Sequence, residues 1–175
     1  QWLAEYVLVE EQQRRQRLVL RRRGNVAFNG EVCEEGIDLR LGHFGCKLHR
    51  SDDRGQSWAE LACPAYPASE ADDAPALDMI WTFAAGGPDQ PGLIWAGTLP
   101  GGLFLSHDRG DSWSLVQSLW DRPERVRWFG GGYDHAGIHS VLLDPRDDQH
   151  LTLAISCGGV WQSRDGGASW ALTAA

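Results

Sequence analysis

The chain has 175 residues, 42% of them hydrophobic, nine Trp and a formal net charge of −8. That is enough apolar material for one domain with a sizeable core, and it excludes a disordered chain. No run approaches the roughly 18 apolar residues of a membrane-spanning helix, and an acidic body lacks the clustered cations that phosphate contacts need, so neither a membrane nor a nucleic-acid partner is expected.

Residues 1–30 hold six Arg against three acids, or +3; residues 31–175 hold ten basic and 21 acidic residues, or −11. The chain opens on Gln, and Tyr6-Val7-Leu8-Val9 is too short for the apolar region of a signal peptide. The start does not decide export: a cytoplasmic location is slightly favoured, and an extracellular one is the alternative if a signal peptide stood upstream. Glu10 to Arg17 has helix-favouring composition, and Leu18-Val19-Leu20 reads as a strand. Residues 1–36 are read as an irregular, unassigned segment. Cys33, Cys46, Cys63 and Cys157 contain no C-x-x-C pair. Reduced thiols are expected, with no zinc or other metal and no cofactor.

From residue 37 onward the chain repeats. Ser-x-Asp-x-Gly-x-x-Trp occurs as Ser51, Asp53, Gly55, Trp58; as Ser106, Asp108, Gly110, Trp113; and as Ser163, Asp165, Gly167, Trp170. Repeats of this period mark solenoids, propellers or arrays. Short apolar runs precede the second and third boxes in the same order: Met79 to Ala84, Leu93 to Leu99 and Leu103 to Leu105, then Ile138 to Leu143, Leu151 to Ser156 and Val160 to Gln162. Asp144 to His150 is read as the turn before Leu151. These runs give four strands per repeat, a to d, and a repeated four-stranded antiparallel sheet is a propeller blade.

The predicted fold is all-β: a β-propeller of four-stranded antiparallel blades, with about three blades present. Residues 37–62 form a partial blade one, 63–119 blade two and 120–175 blade three. Closure needs about four blades, so either a partial propeller or closure by self-association is expected. Each box is the c–d turn. Its Asp accepts backbone hydrogen bonds, its Gly takes positive φ, and its Trp packs over the turn.

Three boxes, with Gly42-His43-Phe44-Gly45, Trp95-Ala96-Gly97-Thr98-Leu99-Pro100-Gly101-Gly102-Leu103-Phe104 and Trp128-Phe129-Gly130-Gly131-Gly132-Tyr133-Asp134, carry a resemblance. Over residues 37–175 the chain resembles bacterial BNR-repeat, or Asp-box, sialidase-like β-propellers, often labelled glycosyl hydrolases. The box is also similar to that of sortilin-type receptors and photosystem II assembly factors. The resemblance implies a propeller and a structural role for the box residues. The Arg-Ile-Pro motif of sialidases does not occur in this chain.

In a blade the b–c and d–a loops share one face of the disc, away from the boxes. The longest connection, Trp120 to Gly137, lies there and mixes cations, aromatics and a carboxylate. Arg offers bidentate anion recognition, and Trp and Tyr offer flat faces for sugars or peptide side chains. The expected ligand-binding residues are Arg127, Trp128, Tyr133, Asp134, His139, His43 and Trp81. His139 and Trp81 are counterparts on innermost strands. The expected function is a ligand-binding or scaffold module for a glycan, peptide or protein partner. The alternative is a sialidase-like exo-glycosidase, with Tyr133, Asp134 and Glu124 as catalytic candidates, since sialidases use a Tyr activated by an acid.

Overall fold

The computed structural model describes residues 6–10, 15–16, 18–21, 25–28, 46–53, 56–68, 75–87 and 89–174. Among them the protein is all-β, with three antiparallel four-stranded sheets and one two-stranded sheet. The chain divides into two compact units, Gln1–Cys63 and Pro64–Ala175.

The first unit holds β1 (Tyr6–Glu10), β2 (Arg15–Gln16), β3 (Leu18–Arg21), β4 (Asn25–Phe28), β5 (Lys47–Ser51) and β6 (Ala59–Leu61). Its four-stranded sheet runs β2-β1-β5-β6, and β3 pairs with β4. The described residues between Tyr6 and Phe28 are thus strands where an irregular segment was expected, and the strand residues Glu10, Arg15 and Gln16 depart from the helix-favouring composition of that stretch. Glu10, Arg15 and Gln16 are strand residues, and Val9 and Glu10 pair with Gln16 and Arg15. The physical reason is tertiary pairing. β5 has a second edge to satisfy, and the β-favouring run Tyr6-Val7-Leu8-Val9 fills it, Tyr6 opposite Ser51 through Glu10 opposite Lys47.

The second unit holds two meanders. β7 (Met79–Ala85), β8 (Ile94–Leu99), β9 (Leu103–Ser106) and β10 (Ser114–Leu115) form one sheet, with neighbours in chain order. After a short helix, α1 (Gln117–Trp120), and a 3-10 turn at Pro123–Arg127, β11 (Ile138–Asp144), β12 (Asp147–Ile155), β13 (Gly159–Ser163) and β14 (Ala171–Ala174) form the next. β12 starts at Asp147, earlier than the turn expected to reach His150. Asp144 makes that hairpin tight by accepting the Arg146 N–H at 2.9 Å and its guanidinium at 2.7 Å. The repeating unit is a propeller blade, and the chain is a partial propeller.

The repeated turn between strands c and d is locked in the same way each time. Its first Ser is 1% exposed in all three copies. Ser51, Ser106 and Ser163 each donate to the Asp two residues on, at 2.8 Å. The same Asp accepts a backbone N–H at 2.8 Å from Ser57, Ser112 or Ser169. The hydroxyls of those serines bind its second oxygen. Gly110 and Gly167, at φ 90°, return an N–H to the buried Ser at 2.8 Å. Gly55 lies outside the described residues. The serine at the seventh position of the turn is thus part of the lock. It is present in all three copies and was not included in the pattern read from the sequence.

Trp170 carries this turn into the neighbouring blade. It is 5% exposed, and its Nε1–H donates to Ser118 Oγ at 3.1 Å. Trp113 is half-buried beside Phe83, with ring centres 6.1 Å apart, and Trp58 is 37% exposed.

β11 lies against β7 and β8, which stacks one blade on the next. One core joins both, with Trp95 and Leu103 from the first meander, Leu119 from α1, and Ile138, Leu153 and Trp161 from the second meander. Gly97 permits this approach. A Cβ there would stand 2.6 Å from the Ile138 carbonyl oxygen and 2.8 Å from both Ile138 Cγ2 and Thr82 Cγ2.

Gly97→Val should therefore wedge the blades apart and cost about 1–3 kcal/mol in denaturant unfolding, the usual penalty of overpacking. The turn locks predict a pH dependence. In each of Asp53, Asp108 and Asp165 the seventh-position Ser hydroxyl, its N–H and the first Ser hydroxyl, in that order, lower the pKa from 3.8 to about 2. A depressed carboxylate pKa stabilises the fold above its unfolded value, and that stability is lost as pH falls through the folded value. The melting temperature should drop between about pH 4 and pH 2, and Asp108→Asn with Asp165→Asn should flatten that part of the curve.

Candidate functional site

Two β-bulges organise the candidate site. Ile80 pairs with Thr98 and Thr82 with Gly97, which leaves Trp81 as the extra residue on β7. Ile138 pairs with Ile155 and Ser140 with Ala154, which leaves His139 as the extra residue on β11. A bulge breaks the ladder at one residue and re-aims its side chain. Both bulges fall at the same place in their meanders. The two rings meet edge to face, with centres 5.9 Å apart. Tyr133 joins from the long connection, its ring centre 5.4 Å from that of Trp81.

Trp81 rests on the backbone at Gly137, where a Cβ would stand 2.5 Å from the indole. His139 is exposed, with Nδ1 at 3.0 Å from Ser140 Oγ. Tyr133 is 52% exposed, and Phe129, four residues earlier, is 62% exposed. The result is a group of three rings with open edges.

The connection that delivers Tyr133 is anchored by cations. Pro123 starts the 3-10 turn, where its fixed φ and missing N–H cost nothing. Arg125 lies over the Trp120 ring at 3.5 Å and near Trp128 at 5.6 Å. It donates to the carbonyls of Trp120 at 3.0 Å and Gly101 at 3.3 Å. Burial lowers its pKa, and the Asp121 charge opposes that shift. Arg122 forms a two-pronged pair with Glu124, at 2.7 and 3.1 Å, and lies 5.5 Å from the Trp161 ring centre. Beneath this region Tyr66 packs on Phe104 and Trp120 and bonds Thr98 Oγ1 at 2.7 Å. Burial pushes the Tyr66 hydroxyl up to about 12.

Gly130 closes the loop. It sits so tightly that a Cβ would overlap the Tyr133 carbonyl, and its own carbonyl accepts the N–H of Gly132 at 2.8 Å. The connection packs on the b–c turns of both meanders: Gly101 lies against Ala136 and Trp128, and Gly158 against Trp128.

Of the residues expected from the sequence, Trp81, Tyr133 and His139 come together. Trp128 turns away to pack edge to face on Trp161, at 5.7 Å. Arg127 and Asp134 are exposed, and among the described residues neither side chain forms a hydrogen bond or an ion pair. The Arg122 hydrogen bonds hold the Glu124 pKa below its ordinary value. Among the described residues no hydrogen bond joins Tyr133 to Glu124 or Asp134. His43 lies outside the described residues. Arg125 and Tyr66 were not singled out from the sequence. Their one trace is the paired glycines, because Gly102 makes room for the Tyr66 ring. Among the described residues no group of three His, Cys, Asp or Glu could hold a metal ion, and no helix is long and apolar enough to cross a membrane.

No protein-family model matches the chain. It is similar to the oligoxyloglucan-reducing end-specific xyloglucanase of Emericella nidulans, 30% identical over 78 residues, which cover 44% of this chain and 8% of that protein. It is similar to the xyloglucanase of Hypocrea jecorina, 34% identical over 97 residues, covering 49% and 10%. The chain thus spans about a tenth or less of the length of these relatives. Among solved structures, an ancestral GH74 enzyme matches at a TM-score of 0.48 and 20% identity, over 71% of this chain and 15% of that one.

The seat of Trp81 is directly testable. Gly137→Ala should displace the indole, because the new Cβ would overlap it. The aromatic circular-dichroism band should change by the part that Trp81→Phe removes, with the far-ultraviolet spectrum retained.

Proposed function

We propose that the chain is part of a ligand-binding β-propeller whose recognition surface is the ring cluster Trp81, Tyr133 and His139, and that its ligand is a glycan. One observation carries the reading: two matching bulges aim a Trp and a His at one point, and a third, half-exposed ring joins them. Bulged residues are unpaired by construction, and partly exposed rings offer flat apolar faces with polar tips. Such faces suit the C–H surface of a sugar ring. Arg127 and Asp134 stand exposed on the same connection as Tyr133 and would add hydrogen bonds to hydroxyl groups.

Trp81→Ala, Tyr133→Ala and His139→Ala should each weaken oligosaccharide binding in titration calorimetry, by roughly tenfold for the two larger rings. Melting temperatures should stay near that of the parent. Unchanged affinity in all three would overturn the assignment. Binding of peptides in place of saccharides would keep the surface and replace the ligand.

The second reading is a glycoside hydrolase, and the likeness to xyloglucanases favours it. Under that reading this chain contributes a substrate-binding wall, because Glu124 is held by Arg122 and the catalytic carboxylates would stand elsewhere in a longer protein. It predicts turnover of an aryl glycoside or a xyloglucan oligosaccharide, and loss of turnover in Tyr133→Phe or Asp134→Asn only if these residues touch the reacting bond.

The BNR or Asp-box assignment belongs to this reading as well. The Ser-Asp-Gly-Ser lock supports it as a structural motif.

A further inference from the structure

Cys46 and Cys63 face each other across the first sheet. β5 and β6 pair Leu48 with Leu61, His49 with Glu60 and Arg50 with Ala59. Continuing that register by two residues sets Cys46 opposite Cys63. Directly opposed residues of an antiparallel pair have Cα atoms about 4.5–5.5 Å apart, inside the range of about 4.4–6.8 Å that a disulfide spans. The side chains also meet. The Cys63 thiol donates to the Cys46 carbonyl at 3.0 Å. A hydrogen bond between the two thiols, followed by burial, pushes the Cys63 pKa far above the ordinary thiol range. Both residues are half-buried, within reach of a small reagent.

The pair is peculiar to the first repeat. Counted from the first Ser of each turn, Cys46 corresponds to Gly101 and Gly158, and Cys63 to Ser118 and Ala175. The blade pattern alone does not call for cysteine at either position.

We propose that Cys46 and Cys63 are a disulfide-forming site, oxidised by a low-molecular-weight disulfide such as oxidised glutathione, which closes residues 46–63 into a covalent loop around the first turn. The Cys46 thiolate attacks one sulfur of the reagent, and the first reagent thiol leaves. Cys63 then loses its proton to solvent and attacks the Cys46 sulfur of the mixed disulfide, which releases the second reagent thiol. Two protein thiols are oxidised and one reagent disulfide is reduced, with no other reactant. The cross-link joins strands c and d where β6 is only three residues long, so it holds the hairpin at its weaker end and restricts the unfolded chain.

The test equilibrates the full 175-residue chain in glutathione buffers of increasing oxidised fraction, blocks remaining thiols with iodoacetamide and maps the peptides. The expected result is a Cys46–Cys63 linkage with loss of two thiol hydrogens from the intact mass and a melting temperature higher by several degrees. Exposed Cys157 serves as the alkylation control. Cys46→Ser and Cys63→Ser should each abolish the linkage and the rise. Alkylation of both cysteines in the most oxidising buffer, arrest at a glutathione adduct, or linkage of either residue to Cys33 or Cys157 would each overturn the proposal.

Discussion

The second unit depends on the seating of β11 across β7 and β8. A four-stranded sheet has two faces, and one of them must be covered by something other than water. Here the cover is the next copy of the same sheet. The contact is close because Gly97 has no side chain and Ile138 fills the space. Leu151, Leu153 and Trp161 complete the seal, and none of them is exposed. The same approach brings the innermost strands side by side, so their two bulges meet. Architecture and candidate site thus follow from one packing event.

The c–d turns serve that event from the opposite side of the blades. Each spends a buried Ser, an Asp and a second Ser on a closed set of hydrogen bonds, and in the second and third turns a glycine with positive φ adds its N–H. A turn satisfied internally needs no support from its surroundings, so its Trp can be used for packing elsewhere. In the third turn that Trp reaches Ser118 of α1, the helix that follows the preceding meander. The arginines of the long connection do comparable work near the site. Arg122 and Arg125 are occupied by Glu124, carbonyls and indole faces, and Arg127 remains in solvent. Three arginines of one short segment therefore have different chemistry, set by what each guanidinium meets.

The fold was legible because its information is local and repeated. Strand alternation, glycine turns and the eight-residue box each act over a few residues, and three copies made the period plain. The partnership of Trp81 with His139 could be read as a correspondence between repeats, and Tyr133 as an aromatic on a long loop. The orientation of Trp128 could not, since it depends on Trp161, which is remote in sequence. Glu124 illustrates the same limit. As a residue type it is a candidate acid, and its two-pronged pairing with Arg122 is not visible in the sequence.

The sequence by itself determined the blade as the repeating unit, the c–d turns with their Ser-Asp-Gly chemistry, and the aromatic connection between meanders. These follow from backbone propensity and short-range hydrogen bonding. Only the tertiary structure decided that Tyr6–Glu10 joins the first sheet beside Lys47–Ser51, that Trp81 and His139 are the bulged residues of their strands, and that Cys46 stands opposite Cys63. The physical reason is common to all three. Strand pairing is set by which distant edge is available and in which register, and a shift of one residue would turn every side chain to the other face.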